Sequence, residues 1–198
     1  EETNLINSTY EVKVKLADLQ ADPNSPLFSA KTFEELGLKE TLLKGLYAMK
    51  FNKPLKIQEK ALPLLLLNPP QNMIGQSQSG TGKTAAFSLA MLSRIDELQN
   101  SSQALCLAPT RELARQTFEV IETMSRFTKI SVRLVVPGAV AKKEVVSDHV
   151  LVGTPGVMLD LLRQRQVSPA NLKVFVLDEA DSMLEAQGLG DLCLRVKK

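Results

Sequence analysis

Short apolar runs alternate with longer amphipathic segments along most of the chain, and this alternation predicts its architecture. The apolar runs are rich in Val, Ile and Leu and mostly lack in-and-out alternation, which is typical of strands covered on both faces. We predict five such strands, at residues 72–75, 104–108, 132–136, 150–153 and 174–177. Apolar residues recur at helical spacing between them, which predicts helices over 83–98, 112–127 and 155–165. The pattern indicates an α/β domain with a mostly parallel sheet and helices on both faces.

The pattern differs before residue 31, and we interpret residues 1–30 as an N-terminal extension to a domain that spans 31–198. Alternating valines and lysines over residues 12–16 predict a short strand, and the Asp-Pro-Asn-Ser-Pro segment that follows interrupts regular structure. The N-terminus shows no signal peptide, so the protein is expected in the cytoplasm, the nucleus or both. The longest apolar run, 62–67, is too short to span a bilayer, and no membrane insertion is expected.

Composition narrows the class of protein without identifying a ligand. The chain is 44% hydrophobic and 23% charged, as is usual for globular proteins in water. Its formal net charge of +2 does not by itself indicate nucleic-acid binding. Any RNA must therefore be held by contacts that fit the shape of its backbone, more than by a basic surface. The two cysteines make no disulfide framework.

A glycine-rich segment after the first predicted strand carries the strongest chemical signal. Residues 77–84 fit the phosphate-binding pattern G-x-x-x-x-G-K-[ST] except at the first position, which is Ser77. Lys83 would neutralise the β and γ phosphates, and the Thr84 hydroxyl would ligate Mg²⁺. A glycine-rich turn alone would explain the glycines but not a Lys-Thr pair at this position. The residues that would surround the phosphate oxygens are Ser79, Gly80, Thr81 and Gly82.

Two carboxylates follow the last predicted strand. Asp178 stands at the carboxyl tip of a buried strand, where an acidic side chain reaches a nucleotide-bound Mg²⁺, usually through water. Glu179 can orient or deprotonate the water that attacks the γ phosphate. Solvated acids that cap the next helix are the alternative interpretation, and the nearby phosphate-binding segment argues against it. Lys83, Asp178 and Glu179 are therefore the predicted catalytic residues.

Four motifs, in this order along the chain, resemble those of the DEAD-box ATP-dependent RNA helicases. Residues 51–58 resemble the family's Q motif, 109–114 match motif Ia, 154–156 match motif Ib, and 178–181 read Asp-Glu-Ala-Asp. The resemblance covers residues 31–198 and implies a RecA-like fold. It also implies ATP and Mg²⁺ as cofactors, with ATP hydrolysis coupled to RNA binding, unwinding and remodelling of RNA–protein complexes.

The same resemblance implies roles for individual residues. Phe51 would stack on adenine and Gln58 would read its edge, which would select ATP over GTP. The backbone of RNA would be held, independently of its sequence, by Pro109, Thr110, Arg111, Gly138, Thr154 and Gly156. The chain departs from the family at Lys50, where Gly is common, at Leu55, where Thr or Ser is usual, and at Val157, where Arg is common.

Residues 16–27 resemble the segment before the core of the mRNA-export helicases of the nuclear pore. This implies docking on a nucleoporin at the cytoplasmic face of the nuclear pore complex and stimulation by an export activator with inositol hexakisphosphate. We expect a monomer. The chain contains no Ser-Ala-Thr motif and no second nucleotide-gripping domain, so we interpret it as the ATP-binding half of a helicase. By itself it is expected to hydrolyse almost no ATP and to unwind nothing.

Two other functions remain open at this point. The first is a P-loop ATPase of another class, unrelated to RNA, although Phe51, Gln58, Thr110 and Arg111 argue against it. The second is a nucleotide-responsive docking module whose main work is to bind a pore protein.

Overall fold

The computed structural model describes residues 30–78, 80–141, 143–185 and 188–197. After a 3-10 turn at Glu34–Leu36, the helices are α1 Glu40–Ala48, α2 Lys56–Leu65, α3 Lys83–Ser93, α4 Arg111–Ser125, α5 Pro155–Arg163, α6 Ala180–Glu185 and α7 Leu189–Lys197. The strands are β1 Ala104–Leu107, β2 Val132–Val135, β3 Val150–Gly153 and β4 Val174–Leu177. Except for Ala30, the predicted extension lies outside the described residues, as does its short strand.

The four strands form one parallel sheet in the order β2-β3-β1-β4. Leu107 at the end of β1 lies opposite Gly153 in β3 and Leu177 in β4, and Gly153 lies opposite Val135 in β2. This register aligns the carboxyl ends of all four strands at one edge of the sheet. Ligands of open parallel sheets bind at that edge, so the loops after the strands are where a site is expected.

Helices cover both faces of the sheet, as the sequence predicted. Alternate residues of β1 belong to different hydrophobic clusters: Cys106 packs with buried residues of α1 to α4, and Leu105 packs with buried residues of α5 to α7. All four residues of β1 are fully buried. Burial on both faces explains why the strand sequences show no alternation of apolar and polar residues.

Two predicted elements are wrong. Residues 72–75 form no strand, since no strand of the described residues pairs with them. The Ile74 side chain in this segment is 99% exposed. The helix predicted over 83–98 ends at Ser93. Beyond it, the Gln103 amide donates to the carbonyls of Asp96 and Gln99, and its Oε1 accepts from the Asp96 N–H at 2.9 Å. These bonds fold 96–99 as a turn instead of a further helical turn.

No helix in the described part of the chain is both long enough and apolar enough to cross a membrane.

Candidate nucleotide and RNA site

The predicted phosphate-binding loop leads directly into α3, with Gly82 as the residue before the helix. Gly80 and Gly82 have φ angles of 77° and 93°, a left-handed conformation that glycine adopts at low cost. A Cβ added to Gly82 would lie 2.6 Å from Nε2 of Gln58 and 2.8 Å from the Leu55 side chain. Gly82 is therefore required both by its backbone conformation and by the close approach of α2. Ser79 lies outside the described residues.

Lys83 is bound by the loop that precedes it. Its Nζ donates to the carbonyl of Ser77 and, at 2.7 Å, to the carbonyl of Gln78. The Thr81 hydroxyl also donates to the Gln78 carbonyl, at 2.8 Å, and lies 2.6 Å from the Ser77 hydroxyl. The Lys83 ammonium and the hydroxyls of Ser77 and Thr81 thus find partners within the loop. To reach a phosphate, Lys83 must exchange these two carbonyl acceptors for phosphate oxygens.

Asp178 follows β4 and is buried, with 7% of its surface exposed. Its Oδ2 accepts a hydrogen bond from the Thr117 hydroxyl of α4 at 3.1 Å. Burial raises the pKa of Asp178, and the negative charge of Glu179 adds to this, whereas the bond from Thr117 and the positive charge of Lys83 oppose it. The ammonium of Lys83 is thus close enough to Asp178 to act on its charge, and the pairing of these two residues in a phosphate and metal site stays a prediction.

Glu179 has a different environment from its neighbour. Its side chain is exposed, and its φ of 50° places a non-glycine residue in the left-handed region. Such backbone strain in a non-glycine residue is concentrated at functional sites. The two adjacent carboxylates therefore suit different tasks. The exposed Glu179 can exchange protons with water, whereas the buried Asp178 keeps a fixed orientation.

Gln58 connects the predicted adenine motif to the phosphate loop. The side chain is 1% exposed; its Oε1 accepts from the N–H of Leu55 at 3.0 Å and its Nε2 donates to the carbonyl of Gly82 at 3.1 Å. One amide N–H and one oxygen lone pair remain for a ligand. Phe51 is half-buried against the first hydrophobic cluster. Adenine recognition by Phe51 and Gln58 stays a prediction, and the bracing of the loop by Gln58 is a second role that its spacing did not indicate.

The predicted RNA residues lie in the loops and helix starts that follow β1, β2 and β3. Thr110 precedes α4, where its hydroxyl accepts from the Leu113 N–H at 3.2 Å and keeps its own proton to donate to a phosphate. The others are Pro109, Arg111, Gly138, Thr154 and Gly156. Since the strand order is β2-β3-β1-β4, the three segments follow one another along one edge of the sheet, and the one after β1 is next to Asp178 at the end of β4.

Local features explain several of these positions. Thr154 and Pro155 begin α5, and Thr154 makes no side-chain capping bond, so its hydroxyl is not used to hold the helix. Gly138 has a φ of 84° and is exposed. Val157, where the family commonly has Arg, packs against the second hydrophobic cluster and contributes to the core instead of contacting phosphate.

Thr117 is the residue of the site that sequence reasoning missed. It lies on α4 between Leu113 and Ile121, four residues from each, and it is 1% exposed. A polar residue in an apolar helical stripe is the signal that could have found it, because buried hydroxyls almost always have a partner. The identity of that partner, Asp178, depends on the tertiary structure.

Comparison with known proteins decides the family. The DEAD/DEAH box helicase family model matches residues 55–197. The chain belongs to the DEAD/DEAH box helicases. It is 71% identical over 197 residues to the ATP-dependent RNA helicase DBP5 of Debaryomyces hansenii, a match that covers 100% of this chain and 40% of that protein. The chain thus spans about two fifths of the length of this relative.

Solved structures of this helicase family have the same fold. Dbp5 of S. cerevisiae bound to RNA and ADP BeF3 superposes with a TM-score of 0.83 and 62% identity, covering 85% of this chain and 43% of that one. A second structure holds variants of Dbp5 and Gle1 with Nup159, IP6 and ADP; its TM-score is 0.80 with 62% identity over 81% of this chain and 43% of that one. The parallel sheet with helices on both faces is the RecA-like fold of DEAD-box helicases.

Proposed function

We propose that this chain is the ATP-binding half of an ATP-dependent RNA helicase that acts in nuclear mRNA export. The arrangement of the sheet edge supports this proposal best: the charge of Lys83 acts on Asp178 at the end of β4, and the candidate RNA residues follow β1, β2 and β3 at the same edge. ATP hydrolysis would be coupled to RNA binding, unwinding and remodelling of RNA–protein complexes.

The residues present fit a magnesium nucleotide. Thr84 in the first turn of α3 and Asp178 supply the hydroxyl and carboxylate oxygens that Mg²⁺ prefers. The described residues contain no group of three or more His, Cys, Asp or Glu side chains able to hold a metal ion by itself. Such a sparse set suits Mg²⁺, which is usually bound by one or two protein groups together with phosphates and water. When bound, Mg²⁺ would neutralise charge that develops on the phosphates.

The hydrolysis mechanism assigns one task to each residue. Lys83 would release the carbonyls of Ser77 and Gln78 and bind the β and γ phosphates. Glu179 would orient the attacking water and accept its proton as the new bond to the γ phosphorus forms and the bond to the β–γ bridging oxygen breaks. Loop N–H groups at Gly80, Thr81 and Gly82 would stabilise the phosphate charge.

RNA would bind along the same edge through its sugar-phosphate backbone. Backbone recognition reads shape and not sequence, which agrees with a candidate set made of hydroxyls, a guanidinium and helix starts. Thr110 keeps its hydroxyl proton free for a phosphate, and Arg111 is exposed at the start of α4. RNA specificity in the cell would then come from partners.

The partners of the solved relatives suggest where the protein acts. One of the S. cerevisiae Dbp5 structures contains Nup159, Gle1 and IP6. By similarity, the full-length protein would dock on a nucleoporin at the cytoplasmic face of the nuclear pore complex and be stimulated by an export activator with inositol hexakisphosphate. A monomer suffices for this function.

The test is RNA-dependent ATPase activity of the full-length protein with Glu179→Gln. Losing the base that accepts the proton should lower kcat by about 100-fold or more while nucleotide binding persists. Glu185→Gln, another exposed glutamate in the segment that follows, is the matched control and should leave kcat unchanged. A Glu179→Gln enzyme with normal kcat would remove the catalytic assignment.

A separate binding experiment distinguishes the other functions. Poly-A RNA and a non-hydrolysable ATP analogue should bind cooperatively to the full-length protein. Independent binding would indicate a P-loop ATPase unrelated to RNA. Capture of a pore protein that depends on nucleotide, in a protein without RNA-stimulated ATPase activity, would indicate a docking module.

A further inference from the structure

The hydroxyl of Thr117 is used differently from the other threonine hydroxyl of the same helix. Thr123, exposed near the end of α4, donates to the carbonyl of Glu119 one turn back, at 2.7 Å. That is the usual bond of a helical threonine. Thr117 instead donates across to the Asp178 carboxylate, at 3.1 Å, and both residues are buried. The bond links a helix on one face of the sheet to the end of β4.

The apolar face of α4 does not need a hydroxyl at this position. Leu113 and Ile121, four residues on either side of Thr117, pack as hydrophobic residues, and Ile121 is fully buried. Valine would fill the same volume as threonine. A buried hydroxyl costs free energy unless it is hydrogen-bonded, so the contact with Asp178 is what makes threonine tolerable here.

The hydrogen bond from Thr117 also restricts the orientation of the Asp178 carboxylate. A short acidic side chain at a strand end can rotate about two bonds, and a donor on one oxygen selects the orientation in which the other oxygen is available to a ligand. Groups that hold a metal-binding carboxylate in this way commonly change metal affinity or activity by about 10- to 100-fold when they are removed.

We propose that Thr117 is a positioning residue for Asp178, and that through it α4 fixes the carboxylate that serves the magnesium nucleotide. The inference rests on the proposed function. The same helix begins at Thr110 and Arg111, the predicted RNA residues, seven positions or about 10 Å before Thr117. One helix therefore carries the predicted RNA residues at its start and the side chain that holds Asp178.

The test compares side chains with and without a hydroxyl in the full-length protein. Thr117→Val keeps the volume and removes the donor, Thr117→Ser keeps the donor, and Thr123→Val removes a hydroxyl from the same helix away from the site. Binding of a fluorescent ADP is titrated at increasing Mg²⁺ concentration and again in EDTA. RNA-stimulated kcat and the RNA concentration for half-maximal stimulation are measured in parallel.

Thr117→Val is expected to need about 10-fold more Mg²⁺ for half-maximal nucleotide binding, with nucleotide affinity in EDTA unchanged. It should lower kcat at saturating ATP and RNA but leave the half-maximal RNA concentration unaltered. Thr117→Ser should restore the Mg²⁺ dependence, and Thr123→Val should match the wild type. If the valine variant does not fold, Thr117→Ala and Thr117→Ser give the same comparison, since they differ only in the hydroxyl.

Equal Mg²⁺ dependence in the valine and wild-type proteins would overturn the proposal, as would a serine variant no better than the alanine variant. Both results would leave the proposed function intact, because the wild type would still bind nucleotide with Mg²⁺ and hydrolyse it with RNA. A wild-type protein without Mg²⁺-dependent nucleotide binding would instead overturn the proposed function and this inference together.

Discussion

At the scale of single residues, Lys50 shows how a departure from the family pattern appears in the structure. It follows α1 with a φ of 63°. The Lys50 N–H donates to the Tyr47 carbonyl at 2.9 Å, and the Phe51 N–H donates to the Leu46 carbonyl at 3.0 Å. This pair of bonds is the Schellman motif, in which the left-handed position is usually Gly. The glycine common in the family at this position therefore has a conformational reason.

Lys50→Gly should stabilise the fold. Relief of the left-handed strain exceeds the entropy that glycine adds to the unfolded chain, so the free energy of unfolding should rise by about 0.5–1 kcal/mol. Urea unfolding followed by circular dichroism measures it. Lys53→Gly is the matched control: it lies nearby without a left-handed φ and should lose a few tenths of a kcal/mol. A Lys50→Gly variant less stable than the wild type would contradict this account.

Sequence reasoning predicted the locations of residues that a motif defines, and their roles stay predictions. Lys83, Gly82 and Asp178 lie where the phosphate-binding pattern and the strand end placed them. It missed Thr117 and the bracing role of Gln58, because both depend on contacts between segments far apart in the chain: Gln58 with Gly82, and Thr117 with Asp178. Periodicity marks a buried polar residue but not its partner.

At the scale of elements, the apolar runs predicted four of the five strands correctly, because strands covered on both faces need continuous hydrophobic sequence. Residues 72–75 have too few hydrophobic residues in sequence for such a strand. Met73 and Ile74 are the apolar residues before Gly75, and Ile74 is exposed. Helix ends were harder to place. The end of α3 depends on Gln103, whose side chain bonds to the 96–99 turn from ten residues beyond the helix.

The contact of α1 with α4 makes a stability prediction. A Cβ on Gly45 would lie 2.0 Å from the carbonyl oxygen of Met124, so the two helices touch backbone to backbone. Gly45→Ala must push them apart and should lower the free energy of unfolding by about 1–3 kcal/mol, although alanine favours the helix by about 1 kcal/mol.

Gly156→Ala is the control for that variant, measured in the same urea titrations. Gly156 is also helical, and a Cβ there would meet no atom within 4 Å. It should be neutral or up to about 1 kcal/mol more stable. If both alanine variants behaved alike, close packing at Gly45 would not be the reason that the position holds glycine.

At the scale of the whole molecule, the strand order determines which candidate site residues are neighbours. β1 lies between β3 and β4, so α4, which follows β1, starts at candidate RNA residues and passes beside the carboxylate that follows β4. The net charge of +2 would not have indicated this arrangement. For the proposed nucleotide and RNA ligands, the domain offers helix starts, glycine turns and a few side chains at one edge.

The Asp178 carboxylate, which follows the outermost strand at that edge, is held at a cost to the fold. Burial is the main cause of the raised pKa of Asp178, so the charged form is less favourable in the folded protein than in the unfolded chain, where the ordinary value of 3.8 applies. A raised pKa in the folded state means that the charge destabilises the protein above that pKa. The penalty declines as pH falls through the raised pKa of Asp178 and disappears below the ordinary value.

Asp178→Asn should therefore be more stable than the wild type at pH 7 in EDTA, since the amide keeps an oxygen for the Thr117 hydroxyl and carries no charge. The difference in unfolding free energy should shrink as the pH is lowered toward 4, because the wild-type carboxyl becomes protonated. Urea unfolding of this chain at a series of pH values measures both trends. With Mg²⁺ and ATP added to the full-length protein, the order should reverse, since only the carboxylate favours the bound metal. A wild type that is the more stable protein at pH 7 without metal would show that the carboxylate is a structural anchor, and that its burial is not a cost accepted for function.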